Sequence, residues 1–284
     1  MAQLQSLTPQ QQKDLAQQKA AVLQAKIEGY YKQPWSLYQQ PFQIADNLYY
    51  VGNRYVASYL LDTGAGLVLV DCGFTELLYQ LIHNLHLLHF APQDIRYVFL
   101  SHAHFDHCGA TGQLQQMSGA EVYLGADDVF FFQDRRDLIV FEDRVPEFEI
   151  SGTYDYSQPW TIGNTIFRFV HTPGHTPGCT TILMDTTLQG EPVTCAMHGG
   201  LGLNGLTHFE LEANRLPARL HQDFYDQLVM CRTLKVDIPC PSHNHDYDIL
   251  SLAQQDDGSH QIFRNPSGWR ELMDRKIEQY LPIL

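Results

Sequence analysis

The run His102-Ala103-His104-Phe105-Asp106-His107 constrains this chain more than any other feature. It places three imidazoles and a carboxylate directly after the apolar stretch Arg96-Tyr97-Val98-Phe99-Leu100, which reads as a buried strand. Residues two apart on an extended segment share a face, so His102 and His104 point one way. Asp106 and His107 then offer donors to a second point. Burying these groups without partners would be costly. Imidazole and carboxylate are, however, the ligand types of zinc and other first-row metals. The chain is therefore expected to gather metal donors at a strand end.

Further donors stand downstream. His175 lies between Thr172-Pro173-Gly174 and Thr176-Pro177-Gly178, a turn whose backbone Pro and Gly fix. His243 follows Pro239-Cys240-Pro241-Ser242. Together these residues supply three protein ligands for each of two metals, leaving open positions for water, as a catalytic site requires. His245 shares the coil of His243, but the Ser-His pattern and the spacing from Asp237 favour His243. His198, in a Gly-rich loop, reads either as a contact to ligands or substrate or as an ordinary loop histidine. His171 reads as a strand residue. His83, His86 and His89 share a helix face without an accompanying acid and read as solvated or packing residues. Cys108 is expected to point into the packing behind the motif.

The pattern around these residues is α/β. Thr8-Pro9-Gln10-Gln11 is a helix start signal, and Ala16, Ala20, Leu23 and Ile27 recur at helical spacing. Residues 1–40 are thus expected to form an amphipathic helix, closed by Gly29 and Pro34, that packs on a main domain spanning 41–284. Leu48–Val51, Tyr55–Leu61 and Leu67–Val70 predict an antiparallel meander. Helices are expected at 75–89 and 113–119, at 211–235 with a break near Pro217, and at 268–280. Strands are expected at 120–124, 165–170 and 179–184. Residues 127–160 are irregular and aromatic, as functional lids are. Phe141, Phe148, Ile150, Tyr154 and Tyr156 are the lid candidates, while Phe130-Phe131-Phe132 reads as core.

Composition narrows the partners. Lys plus Arg number 18 against 32 Asp plus Glu, a net charge of −14 over 284 residues. So acidic a chain is unsuited to nucleic acid or an anionic membrane, and a small-molecule substrate remains. No apolar run reaches the length of about 20 residues needed to span a bilayer. The first residues show neither a basic nor an apolar leader segment, which predicts a cytoplasmic protein, or a periplasmic or secreted one if a signal peptide has been removed. Six cysteines are too sparse for a disulfide scaffold and are expected to be free. The oligomeric state is left open.

Taken jointly, the His-Ala-His-Phe-Asp-His run after an apolar strand, Val70-Asp71 at a strand end, the Thr-Pro-Gly-His-Thr-Pro-Gly block and a late histidine resemble the metallo-β-lactamase superfamily. Within it the chain looks most like the subclass B3 enzymes. Pro41-Phe42-Gln43-Ile44-Ala45-Asp46-Asn47-Leu48-Tyr49-Tyr50-Val51-Gly52 resembles that group's first strand and turn, and the second ligand set lacks Cys. The resemblance implies an αββα sandwich with two zinc ions at one edge. His102, His104 and His175 would hold the first, and Asp106, His107 and His243 the second, with Asp106 and His243 as catalytic residues. A bridging hydroxide would attack the substrate carbonyl, and Asp71 would orient loop backbone or a ligand. The implied reaction is β-lactam hydrolysis. Sibling readings are hydrolysis of a lactone, thioester or phosphodiester, or iron-dependent redox chemistry on the same scaffold. Gly200 and Gly202 fall where the subclass carries serines that contact the substrate carboxylate. A high KM, improved by Gly200→Ser, is therefore expected.

Overall fold

The computed structural model describes residues 9–282. Among them, two sheets pack face to face. One holds β1 (Phe42–Ala45), β2 (Leu48–Tyr50), β3 (Tyr59–Asp62), β4 (Leu67–Val70), β5 (Ile95–Phe99), β6 (Glu121–Leu124) and β7 (Gly152–Thr153) in that order. Its first four strands form an antiparallel meander, and β4 to β7 run parallel. The other sheet is ordered β12 (Ile238–Cys240), β11 (Glu191–Met197), β10 (Thr180–Leu188), β9 (Thr165–His171), β8 (Trp160–Ile162), antiparallel except for the parallel pair β11–β12.

Alternation along the strands produces the layers. Leu67 and Leu69 of β4 face Leu81 and Leu85 of the helix α2, while Val68 and Val70 face the other sheet with Phe99, Phe167 and Met184. The far face of the second sheet is covered by helices through Leu183, Ala196, Phe224, Leu228, Trp269 and Met273. The result is the expected α/β fold, an αββα sandwich. Its helices are α1 (Pro9–Lys32), α2 (Leu78–Leu87), α3 (Phe105–Cys108), α4 (Thr111–Ser118), α5 (Phe130–Gln133), α6 (His208–Ala213), α7 (Leu220–Cys231), α8 (Ile249–Gln255) and α9 (Gly268–Tyr280).

Among the local expectations that differ, three are informative. The Thr8 cap lies outside the described residues, and α1 runs through Gly29 to Lys32. A mid-helix glycine costs about 1 kcal/mol. That is outweighed where Ile27 is buried and Tyr30 and Tyr31 pack edge-on or tilted against Tyr55, Phe74 and Phe141. Upstream, Val22 is exposed, so only the last turns of α1 are docked. Residues 55–58 are not strand: Asn53 Oδ1 accepts from the Tyr55 and Val56 amides, and Ala57 N–H donates to Ser242 O. Tyr154 is core, not lid. Its hydroxyl lies between Leu100 O and Tyr123 O, either of which can take its one proton, and its ring stacks 4.2 Å from Phe169.

Candidate metal centre

Five strands deliver the site. The C-terminal ends of β4, β5, β9, β11 and β12 meet at one edge of the sandwich, and each is followed by a loop that carries a site residue. Asp71 follows β4, His102 to His107 follow β5, His175 follows β9, His198 and Gly200 follow β11, and His243 follows β12. α3 puts Asp106 and His107 on one turn, which the His107 and Cys108 amides close by donating to His104 O at 3.0 Å. His243 is fixed by an antiparallel bridge to Val56, the segment that the Asn53 turn releases from the sheet.

Two donor groups result. His102, His104 and His175 have ring nitrogens within 4.8 Å of one another, as do the donor atoms of Asp106, His107 and His243. In the first group, His104 Nδ1 lies 3.1 Å from His102 Nε2 and 3.0 Å from His175 Nε2. One Nδ1 carries at most one proton, so it cannot bond both. Ligand nitrogens 2.0–2.1 Å from a tetrahedral zinc stand about 3.3 Å apart, so these separations fit a cation between them. In the second, His243 Nε2 lies 3.3 Å from His107 Nε2 and 3.4 Å from Asp106 Oδ2. The groups adjoin, with the His102 and His107 rings 4.2 Å apart.

The outer ring nitrogens settle which atoms face inward. His107 Nδ1 meets Asp71 Oδ2 at 2.7 Å, and His175 Nδ1 meets Gly202 O at 2.9 Å. Both partners can only accept, so each Nδ1 bears the proton and Nε2 presents its lone pair. Ser101 Oγ donates to Asp71 Oδ2 at 2.7 Å and is thereby free to accept from His102 Nδ1 at 3.0 Å. Asp71, fully buried at φ +57°, thus orients one ligand directly and another through Ser101, and it also accepts from Ser101 N–H. Burial and neighbouring imidazoles hold His102, His104 and His243 well below the usual histidine range, in the neutral ligand form. Burial brings His175 down to about 4. For His107, burial acts downward but the Asp106 and Asp71 carboxylates outweigh it and raise it. Burial raises Asp106.

The remaining sequence candidates are not members of either donor group. His198 is buried behind the glycine loop. Its Nε2 donates to Gln227 Oε1 at 2.6 Å, leaving Nδ1 to accept from Gly200 N–H at 3.2 Å. His245 is largely exposed and belongs to neither donor group. Gly200 and Gly202 pack against the His175 ring. A Cβ at Gly200 would fall 2.7 Å from His175 Cγ, and one at Gly202 would fall 2.8 Å from Cε1. The expectation that Gly200→Ser improves the enzyme is overturned, because no room exists for the hydroxymethyl group. Cys108 is buried in the packing, and its Sγ faces Ala103 O.

Asp128 carries no sequence signal of its own within the irregular stretch 127–160. It is fully buried and clasps the two histidine loops: Ala103 N–H and Thr176 Oγ donate to Oδ2, and Gly178 N–H donates to Oδ1 at 2.6 Å. Asp128→Ala would orphan these donors, at about 1–3 kcal/mol each. It is expected to lower Tm and to weaken zinc at the first donor group by roughly 10–100-fold. Chelator competition combined with thermal melting checks this. Unchanged zinc affinity would mean that the loops hold their positions unaided.

A fold that presents adjoining groups of imidazole and carboxylate donors at a sheet edge is suited to holding catalytic metal ions. Residues 51–187 match the model of the metallo-beta-lactamase superfamily, the family that the motifs resemble. One relative, described as "probable polyketide biosynthesis zinc-dependent hydrolase" from Bacillus velezensis, is 32% identical over 108 residues, 37% of this chain and 42% of that one. An N-acyl homoserine lactonase of Bacillus cereus is 26% identical over 167 residues, 49% of this chain and 61% of that one. The match thus spans less than two thirds of either relative. The fold matches a subclass B3 metallo-beta-lactamase of Bradyrhizobium japonicum with a TM-score of 0.78 at 24% identity, over 88% of this chain and 96% of that one. No helix among the described residues is long and apolar enough to cross a membrane.

Proposed function

We propose that this chain is a zinc hydrolase, that its centre is dinuclear, and that it opens the amide of a β-lactam ring. The observation that carries the reading is the pair of adjoining three-donor groups, the second composed of Asp106, His107 and His243 without a thiolate. The resemblance of the motifs to subclass B3 enzymes supports the substrate class, and the fold match over 88% of this chain is consistent with it. Held by those residues, a zinc pair supplies an activated water and a Lewis acid for the substrate carbonyl. The chain's own part is to hold that constellation rigid. Asp71 and Ser101 fix the tautomers of His107 and His102, Gly202 O fixes that of His175, and Asp128 holds the two loops in register. Burial exposes the reacting groups to few waters, and half-buried His104, His175 and His243 leave one open side.

A second reading, a lactonase or thioesterase, is supported by what the curated relatives are said to do. One panel decides between them: zinc-loaded protein offered a chromogenic cephalosporin, an acyl lactone, an acyl thioester and a phosphodiester. Preferred turnover of the cephalosporin, with about two zinc equivalents per chain by elemental analysis, is expected. Turnover confined to the lactone or thioester moves the enzyme to the second reading, and a firm single equivalent sinks the dinuclear assignment.

A further inference from the structure

The wall of the centre beside the second donor group is built by Tyr55 and by the end of α1. The Tyr55 ring stands edge-on to His243 at 5.1 Å, stacks on Phe74 at 6.0 Å and packs on Tyr30 at 5.3 Å. Lys26, one turn before Tyr30, lays its Nζ over the Tyr55 ring, 4.7 Å from its centre. α1 also packs on α6, which follows the glycine loop under His175. The helix therefore touches elements on both sides of the metal centre.

Charge singles out Lys26. In a chain with 32 acidic and 18 basic side chains, a cation near a cleft normally finds a carboxylate. Arg144, at the same wall, pairs with Glu76 at 3.3 Å and lies over Tyr31. Among the described residues, no carboxylate lies within ion-pair distance of Lys26, which meets only the Tyr30 and Tyr55 rings. Across the centre, Gly200 and Gly202 are pressed against His175 and bear no hydroxyl. These two positions offer no side-chain donor, and the opposite wall offers an ammonium held by an aromatic face.

We propose that α1 is the substrate-recognition wall of this site and that Lys26 anchors a carboxylate on the substrate, on the side of the scissile bond toward His243. This rests on the hydrolase reading above and extends it to the substrate's charge.

The test uses the full zinc-loaded chain with K26A and K26R, and it has two arms. Calorimetry measures succinate against acetate. One carboxylate of either can reach the metals, and only succinate has a second for Lys26. Succinate is expected to bind the unaltered chain and K26R about tenfold more tightly than K26A, with acetate the same in all three, since a hydrogen bond to a charged group is worth about that factor. Kinetics compare a cephalosporin with its methyl ester. KM for the acid should rise about tenfold in K26A with kcat kept, and the ester should not respond. Lys26 is exposed, so thermal melts of both variants should match the unaltered chain. Equal weakening of succinate and acetate in K26A, or no weakening of either, overturns the proposal. Discrimination of succinate by Lys26 without turnover of any β-lactam supports the anchor while refuting the β-lactam reading.

Discussion

Gly200→Ser is expected to strip zinc from the first donor group and with it most of the turnover. A Cβ at this position lands on the His175 ring. The loop cannot recede, because Gly200 N–H is held by His198, whose other nitrogen is held by buried Gln227. His175 cannot swing away without breaking its bond to Gly202 O. Overpacking of this kind costs about 1–3 kcal/mol where neighbours yield. Here the group that must yield is a proposed ligand, for which even indirect displacement lowers metal affinity by roughly 10–100-fold. Zinc per chain and kcat/KM of the variant measure the effect. A Gly200→Ser protein that keeps two zinc equivalents and gains a lower KM for a carboxylate-bearing substrate would show that the loop has room after all.

His243→Ala should cost at least as much, whereas His245→Ala should leave activity within a few fold. Only His243 is bridged to Val56 with Nε2 directed at His107 and Asp106; the His245 ring, 5.1 Å away, is mostly in solvent. Removing a group that completes a three-donor set exceeds the roughly 10–100-fold effect of removing a group that merely supports one. Parallel kcat/KM and zinc measurements on the two variants check the assignment. Equal losses, or a larger loss at His245, would exchange their roles.

Much of this centre was legible in the sequence because its donors are local. His102 to His107 lie within one strand end and one helical turn, so spacing alone implies two directions, and the paired Thr-Pro-Gly turns announce a rigid loop at His175. What holds the donors was not legible. Asp128 meets Ala103 and Thr176 across 25 and 48 positions of chain, and Ser101 joins Asp71 across 30. No local periodicity encodes such contacts. The misread segments share one cause. The Tyr55 stretch is β-branched and aromatic, but its amides are claimed by the Asn53 side chain and the Ser242 carbonyl. Gly29 reads as a stop, but the tyrosines after it find aromatic partners. Tyr154 resembles a lid residue until its hydroxyl finds two backbone carbonyls. At Tyr55 a neighbouring side chain and a distant carbonyl, and in the other two a long-range partner, overrode a correct local preference.

The position of Asp71 makes the two donor groups a single thermodynamic unit. One carboxylate sets the protonated nitrogen of His107 in one group and, through the Ser101 hydroxyl, of His102 in the other. Occupying either group freezes that shared hydrogen-bond chain, and the vacant group then has less orientational freedom left to lose. With both groups occupied, as proposed, this shared chain couples the two metals through a residue that touches neither, and its ordering by the first favours the second.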